Sequence, residues 1–188
     1  MSAVGTSDPE GRAVEAALEL AERSPETTRT RTITWQDPLA SAEAGAKLPG
    51  LDYLEAVAAG EIPPPPIGVV MRFTIPVVEE GRVAFEGEPG EEHYNPIGVV
   101  HGGYASTMLD SALGSAVHTT LDAGVGYTTL TLETKFLRPI TRDTGRVRAE
   151  AEVVHRGRTQ ATAEARLVAA DTGKLLATGT STCLIIGG

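Results

Sequence analysis

One stretch limits the fold more than any other. Between Gly103 and Leu121, the residues Ala105, Met108, Leu109, Ala112, Leu113, Ala116 and Val117 recur at the spacing of a single helical face. An apolar stripe of that length has to be buried against another surface. The text on both sides of it supplies strands, so the helix is expected to lie on a sheet.

Ile67–Val78 is rich in strand-forming residues, with Pro76 marking an edge or a bulge. Arg82–Glu86 alternates, placing Val83 and Phe85 on one face, and Glu79-Glu80-Gly81 joins the pair as a hairpin turn. Gly124 and Gly126 are expected to break the helix, and four strands follow. Tyr127–Leu137 carries Leu130, Leu132 and Phe136 in phase, and Arg146–Val154 carries Val147, Ala149, Ala151 and Val153. Thr159–Val168 carries Ala161, Ala163, Ala165 and Leu167, and Lys174–Ile186 closes the set. The joints Arg142-Asp143-Thr144-Gly145, Arg156-Gly157 and Asp171-Thr172-Gly173 suit tight antiparallel connections. The expected order is two strands, a long helix and a four-strand meander, an α+β arrangement. The small alanines of Thr159–Val168 fit a helix that approaches its sheet closely.

Ahead of the strands the chain changes character. Residues 1–48 read as an arm, partly disordered or packed on a partner subunit, and residues 49–188 as the folded domain. The arm holds a weak helical pattern over Val14–Ala21 and then a stretch rich in Ser, Thr, Arg and Pro. Leu51–Ala59 reads as a short helix ended by Gly60, and Pro63–Pro66 as an extended lead-in to the first strand.

Charge and composition exclude several classes of function. The 188 residues carry a net charge of −9, so nucleic acid and anionic lipid are poor partners. The sequence has no apolar run long enough to cross a membrane, and its first residues do not resemble a secretory signal. Cys183 stands alone, which excludes a disulfide framework or a cysteine-based zinc cluster, and it reads as a small buried hydrophobe. A cytoplasmic protein is expected. An anionic ligand would need a local basic patch.

The chemistry concentrates where the helix begins. His101-Gly102-Gly103 stands at its start, where the first N–H groups lack internal partners and the helix dipole is positive. Such a site stabilises a carbonyl oxygen gaining charge in acyl transfer, and losing one donor costs ~10²–10³ in rate where one is used. Aspartate is a poor residue for a helix interior, so Asp110 calls for a reason. It leaves the apolar stripe and shares a side with Gly103, Ser106 or Thr107, and Gly114, roughly 10 Å along the axis from Gly103. A carbonyl would have to sit between the carboxylate and the helix start.

Each feature has a plainer reading. His-Gly-Gly alone is a common turn, Asp110 alone a solvated helix residue, and Asn95 before Pro96 a turn former. Together, with strands on both sides, they favour the functional reading. His101 reads as a loop-fixing residue rather than a base. His118 lies about 12 Å along the helix from Asp110, too far to pair with it, so a Ser/His/Asp relay is not expected. His93 and His155 show no metal-ligand spacing, and no metal site is expected.

Asn-x5-His-Gly-Gly-x6-Asp, followed by a Thr-rich strand that ends in Phe136-Leu137-Arg138-Pro139, resembles the PaaI-type branch of the hotdog-fold thioesterases. The resemblance runs from about Leu51 to Ile186 and is specific at its centre. It implies a hotdog fold, with a long central helix wrapped by a curved six-stranded antiparallel sheet. It also implies dimers with a continuous sheet, often paired into tetramers, and active sites at the dimer interface. Carried onto this chain, Gly102 supplies the oxyanion N–H, with His101 before it and Gly103 after it at the substrate. Asn95 would lie near the thioester or the attacking water, and Asp110 would be the nucleophile or general base. Thr129 would help to position water, reaching the carboxylate only across the dimer.

The implied substrate is an acyl-CoA thioester, aryl or medium-chain, with coenzyme A as part of the substrate and no other cofactor. Met108, Leu109 and the alanines are expected to wall its acyl pocket. Arg156 and Arg158 lead as phosphate ligands, with Arg138 a further candidate; their plainer role is surface ion pairing. Two other classes compete with hydrolysis: a non-catalytic acyl-CoA sensor, and a hotdog hydratase or dehydratase.

Overall fold

A computed structural model describes residues 28–187, together with residues 11–12, 14–16 and 18–19. The chain divides into two units, Met1–Ile33 and Thr34–Gly188. In the first, the described residues between 11 and 19 are helical. The rest of Val14–Ala21 lies outside the described residues. The second unit holds everything that follows.

It begins with three short helices: α1 (Pro38–Gly45), α2 (Gly50–Ala59) and α3 (Pro66–Met71). Asp37 caps α1 by accepting from the Leu39 N–H at 2.9 Å. α2 ends where expected, because Gly60 takes the left-handed conformation with φ 78°. α3 corrects the expected strand over Ile67–Val78. The β-branched run there is helical at first, since Pro66 occupies a first-turn position that needs no N–H. Arg72, with φ 60°, then turns the chain out of the helix.

Two strands follow, β1 (Phe73–Glu79) and β2 (Arg82–Gly87), and then the long helix α4 (Gly102–His118). The last four strands are β3 (Gly126–Phe136), β4 (Val147–Arg156), β5 (Gln160–Ala169) and β6 (Leu175–Ile186). All six form one antiparallel sheet in the order β1-β2-β4-β5-β6-β3. β1 is an edge strand with an irregular register between Thr74 and Val77, where Pro76 stands. Gly81, with φ 74°, completes the β1–β2 turn.

α4 crosses this curved sheet, and the seven residues of its predicted stripe are all buried. Small residues beneath it allow the close approach: Ala149 and Ala151 on β4, Ala161, Ala163 and Ala165 on β5, and Gly179 on β6. A Cβ on Gly179 would touch Leu109 and Leu113 at 3.4 Å. Met108, Leu109 and Leu113 are fully buried, and truncating any one to alanine costs about 2–5 kcal/mol.

Three expectations need correcting. α4 ends at His118, before the glycines, because Thr119 and Thr120 donate back to the carbonyls of Ala116 and Val117 at 2.6 and 2.7 Å. Thr119 Oγ1 also accepts from the Gly81 N–H at 2.8 Å, tying the helix end to the β1–β2 turn. Only β4, β5 and β6 form a meander. β3 pairs with β6 at the far edge, and the segment 137–146 carries the chain back across to β4. The register of β3 shifts between Thr129 and Thr131, so Leu130 falls out of phase with Leu132 and Phe136. Tyr127 and Thr129 before the bulge, and Leu132, Thr134 and Phe136 after it, are paired with the alternate β6 residues Ile185 to Ala177 that face α4.

Candidate active site

The loop before α4 is tied to itself. Asn95 Oδ1 accepts from the N–H groups of Ile97 and Val99 at 3.0 and 3.2 Å. Gly98 has φ 82°, which the turn requires. The carbonyl end of Asn95 is therefore committed to the loop, and its NH2 group is the part left to meet a ligand.

His101 is the N-cap of α4. Its Nδ1 accepts from the Gly103 N–H at 2.8 Å, so that nitrogen carries no proton and the Gly103 N–H is spent. The Gly102 N–H has no partner among the described residues, as expected for the first donor of a helix. It faces a cavity of about 390 Å³ whose wall includes Ala105, Phe136, Arg138, Ile140 and Leu176. A Cβ on Gly102 would lie 3.1 Å from Phe136 Cζ. Arg138 donates to the Leu175 carbonyl at 2.6 Å and is the arginine of this cavity.

Asp110 opens elsewhere. With Ser111, Ser115 and His118 it lines a second cavity of about 520 Å³, walled by Leu54, Val57, Ile67, Phe73 and Phe85. This wall comes from α2, α3, β1 and β2. Met108 and Leu109, expected there, are instead buried in the core, because their side of α4 faces the sheet. Thr129 donates to Asp110 Oδ1 at 3.2 Å within one chain. That corrects the expectation of a pairing made only across a dimer. The pairing follows from matched lengths: Asp110 and Gly114 are one helical turn apart, ~6 Å, and Thr129 and Tyr127 on β3 are ~6.7 Å apart. Tyr127 packs on Gly114, where a Cβ would lie 2.7 Å from its hydroxyl. Burial pushes the Tyr127 phenol above its ordinary pKa, with Cys183, Asp110 and Tyr53 adding to the rise.

The structure thus brings His101, Gly102, Gly103 and Arg138 together at one end of α4, and Asp110 and Thr129 together further along it. Gly102 and Asp110 are about 12 Å apart along the axis and open into different cavities. Arg156 lies in one cross-strand row with Ala161, Cys183 and Thr129, and its guanidinium turns back onto the Gly157 carbonyl. Arg158 is exposed in the same β4–β5 turn.

Sequence reasoning passed over Tyr53, Tyr127 and His118 as a group. The His118 ring stands between the two tyrosines, with both centroids 5.5 Å away. Burial lowers its pKa and raises that of Tyr53. No spacing could have found this cluster, because its members come from three separate elements. Among the described residues no group of three or more His, Cys, Asp or Glu could hold a metal ion, and no helix is long and apolar enough to cross a membrane.

Known proteins share this fold. The model of the thioesterase superfamily matches residues 97–176. A phenylacetic acid degradation-related protein from Ralstonia eutropha is 32% identical, with 70% of this chain and 98% of that one covered at a TM-score of 0.64. A thioesterase family protein from Silicibacter pomeroyi is 27% identical over 74% of this chain and 97% of that one, also at 0.64. A mutant form of the phenylacetic acid degradation protein PaaI from Thermus thermophilus is 28% identical, covering 63% and 97% at 0.58. No curated protein matches the sequence. With its helix laid across a six-stranded sheet and a lone carboxylate on that helix, this chain belongs to the hotdog-fold thioesterases and is a thioester hydrolase.

Proposed function

We propose that the substrate is an aryl- or medium-chain acyl-CoA, with Asp110 as the catalytic carboxylate. One observation carries the reading: Asp110 is held by Thr129 in the wall of a largely apolar cavity large enough for such an acyl group. Asp110 either attacks the carbonyl carbon, giving an anhydride that water then cleaves, or takes a proton from the water that attacks. In both courses the C–S bond breaks, the thiolate of coenzyme A leaves and is protonated, and water supplies the acid's new oxygen. Coenzyme A enters only as part of the substrate.

The carbonyl oxygen is received by a Gly102 N–H, with Asn95 beside it. The two cavities of one chain do not share a carbonyl site, so that N–H belongs to a second copy. Support comes from β3, whose outer edge has no partner among the described residues and which exposes Leu130, Leu132 and Phe136. Two such edges pairing would bury these side chains and extend the sheet. A dimer is the smallest active unit in this reading, with a tetramer as a pair of dimers. Arg138, at the Gly102 end, becomes the first choice for a phosphate of the substrate, ahead of Arg156 and Arg158.

Thiol release from aryl- and alkyl-CoA thioesters tests the reading, with Asp110→Ala beside the wild type. Release by the wild type and none by the folded variant is expected. Wild-type rates in the variant would overturn the assignment of Asp110.

A further inference from the structure

The cavity that holds Asp110 ends at a row of three rings. Tyr53 of α2, His118 in the last turn of α4 and Tyr127 of β3 stand with neighbouring planes tilted by 49° and 48°. Glycines brace the row. A Cβ on Gly45 of α1 would lie 2.6 Å from Tyr53 Cε2, and one on Gly114 would lie 2.7 Å from the Tyr127 hydroxyl. Gly50, at the start of α2, leaves room for the His118 carbonyl, which a Cβ there would overlap.

A third cavity of about 300 Å³ lies on the other side of Tyr53 and His118. Its remaining wall is Ala42, Gly45, Ala46, Leu48 and the segment 124–126, with no charged side chain among them. Tyr53 and His118 line both cavities and are the partition between them.

We infer that Tyr53 and His118 set the length of acyl chain that this thioesterase accepts, by stopping the chain where the Asp110 cavity ends. The inference rests on the proposed role of Asp110 as the residue at the scissile carbonyl. Asp110 and His118 are about 12 Å apart along the axis of α4, room for a medium alkyl chain. Along that path the wall is largely aliphatic and aromatic, and each methylene buried favours binding roughly fourfold. The gain stops where the chain meets rings braced from behind. Burial keeps all three rings in their neutral forms, so the partition is not an ionic one. Where it opens, the apolar third cavity receives the chain end.

The test is kcat/KM for butanoyl-, octanoyl-, dodecanoyl- and hexadecanoyl-CoA with the wild type, Tyr53→Ala, His118→Ala and Tyr53→Trp. The wild type should fall off beyond a medium chain. Either alanine variant should raise the hexadecanoyl-to-octanoyl ratio at least tenfold, chiefly through KM, and Tyr53→Trp should move the limit the other way. Tyr53→Phe, which keeps the ring, should leave the limit in place and serves if an alanine variant does not fold. Folded variants that hydrolyse octanoyl-CoA with an unmoved profile would overturn the inference while leaving the role of Asp110 intact. Hydrolysis by Asp110→Ala would overturn the role of Asp110 instead.

Discussion

Thr129 Oγ1 donates to Asp110 Oδ1 at 3.2 Å, joining an edge strand to a carboxylate in the middle of the central helix. Helix and strand meet twice along this line, at Asp110 with Thr129 and at Gly114 with Tyr127. The second contact sets the height of the strand. The first then sets the direction of the carboxylate.

Thr129→Val keeps the shape and removes the donor. A hydrogen bond to a charged group contributes about 1.5–3 kcal/mol, so kcat should fall by roughly ten- to a hundredfold. Thr129→Ser should stay within a few-fold of the wild type. Steady-state kinetics beside a thermal melt would show whether the loss is catalytic or structural.

The split between the Gly102 and Asp110 cavities makes a second prediction. Asp110→Ala and Gly102→Val should each be inactive alone, the latter because its side chain enters the space of Phe136. Unfolded and refolded together in equal amounts, they should regain about a quarter of the wild-type sites, as random pairing in a two-fold dimer predicts. No recovery from folded mixed dimers would show that each site is built from one chain.

His101 is predicted to act mainly as a cap. Losing its acceptor to the Gly103 N–H should cost about 1 kcal/mol of stability in His101→Ala. His101→Asn, which can make the same bond, should recover most of it in a denaturant titration.

His118 has a pKa lowered by burial, so between that value and its ordinary value near ~6.5 the unfolded chain binds more protons than the folded one. Stability should therefore be fully present above that ordinary value and fall as the pH drops through the window below it. The groups that face the ring are Tyr53 and Tyr127, neither of which ionises there. Denaturation midpoints against pH should show a shallower fall in His118→Gln, and an unchanged slope would refute the account.

Local rules made much of the fold readable. The stripe from Ala105 to Val117 could only be one buried helical face, and the alternation of β4 and β5 placed their alanines inward. The Glu80-Gly81 turn and the edge position of Pro76 follow from backbone chemistry alone. The position of β3 beside β6 was not readable, since strand text does not say which neighbour it will meet. Ile67–Val70 favours a strand by composition, yet Pro66 and its neighbours start a helix. In the site, Asp110 stood out as a polar residue beside an apolar stripe. The separation of its cavity from that of Gly102 depends on how side chains from several elements pack around α4, which no spacing records.

The bulge at Leu130 gives the length of β3 an unusual meaning. Because of it, Thr129 on one side and Phe136 on the other look toward the same helix. Deleting Leu130 would straighten the ladder and leave both halves facing as they do, since Thr129 and Thr131 already pair with the consecutive residues Cys183 and Thr182. Without the bulge, a strand of the same length would turn one half inside out, leaving one of the two cavities whole and emptying the other of its wall. Evolution can vary side chains along this strand one at a time, while its one extra residue keeps both halves turned toward the helix.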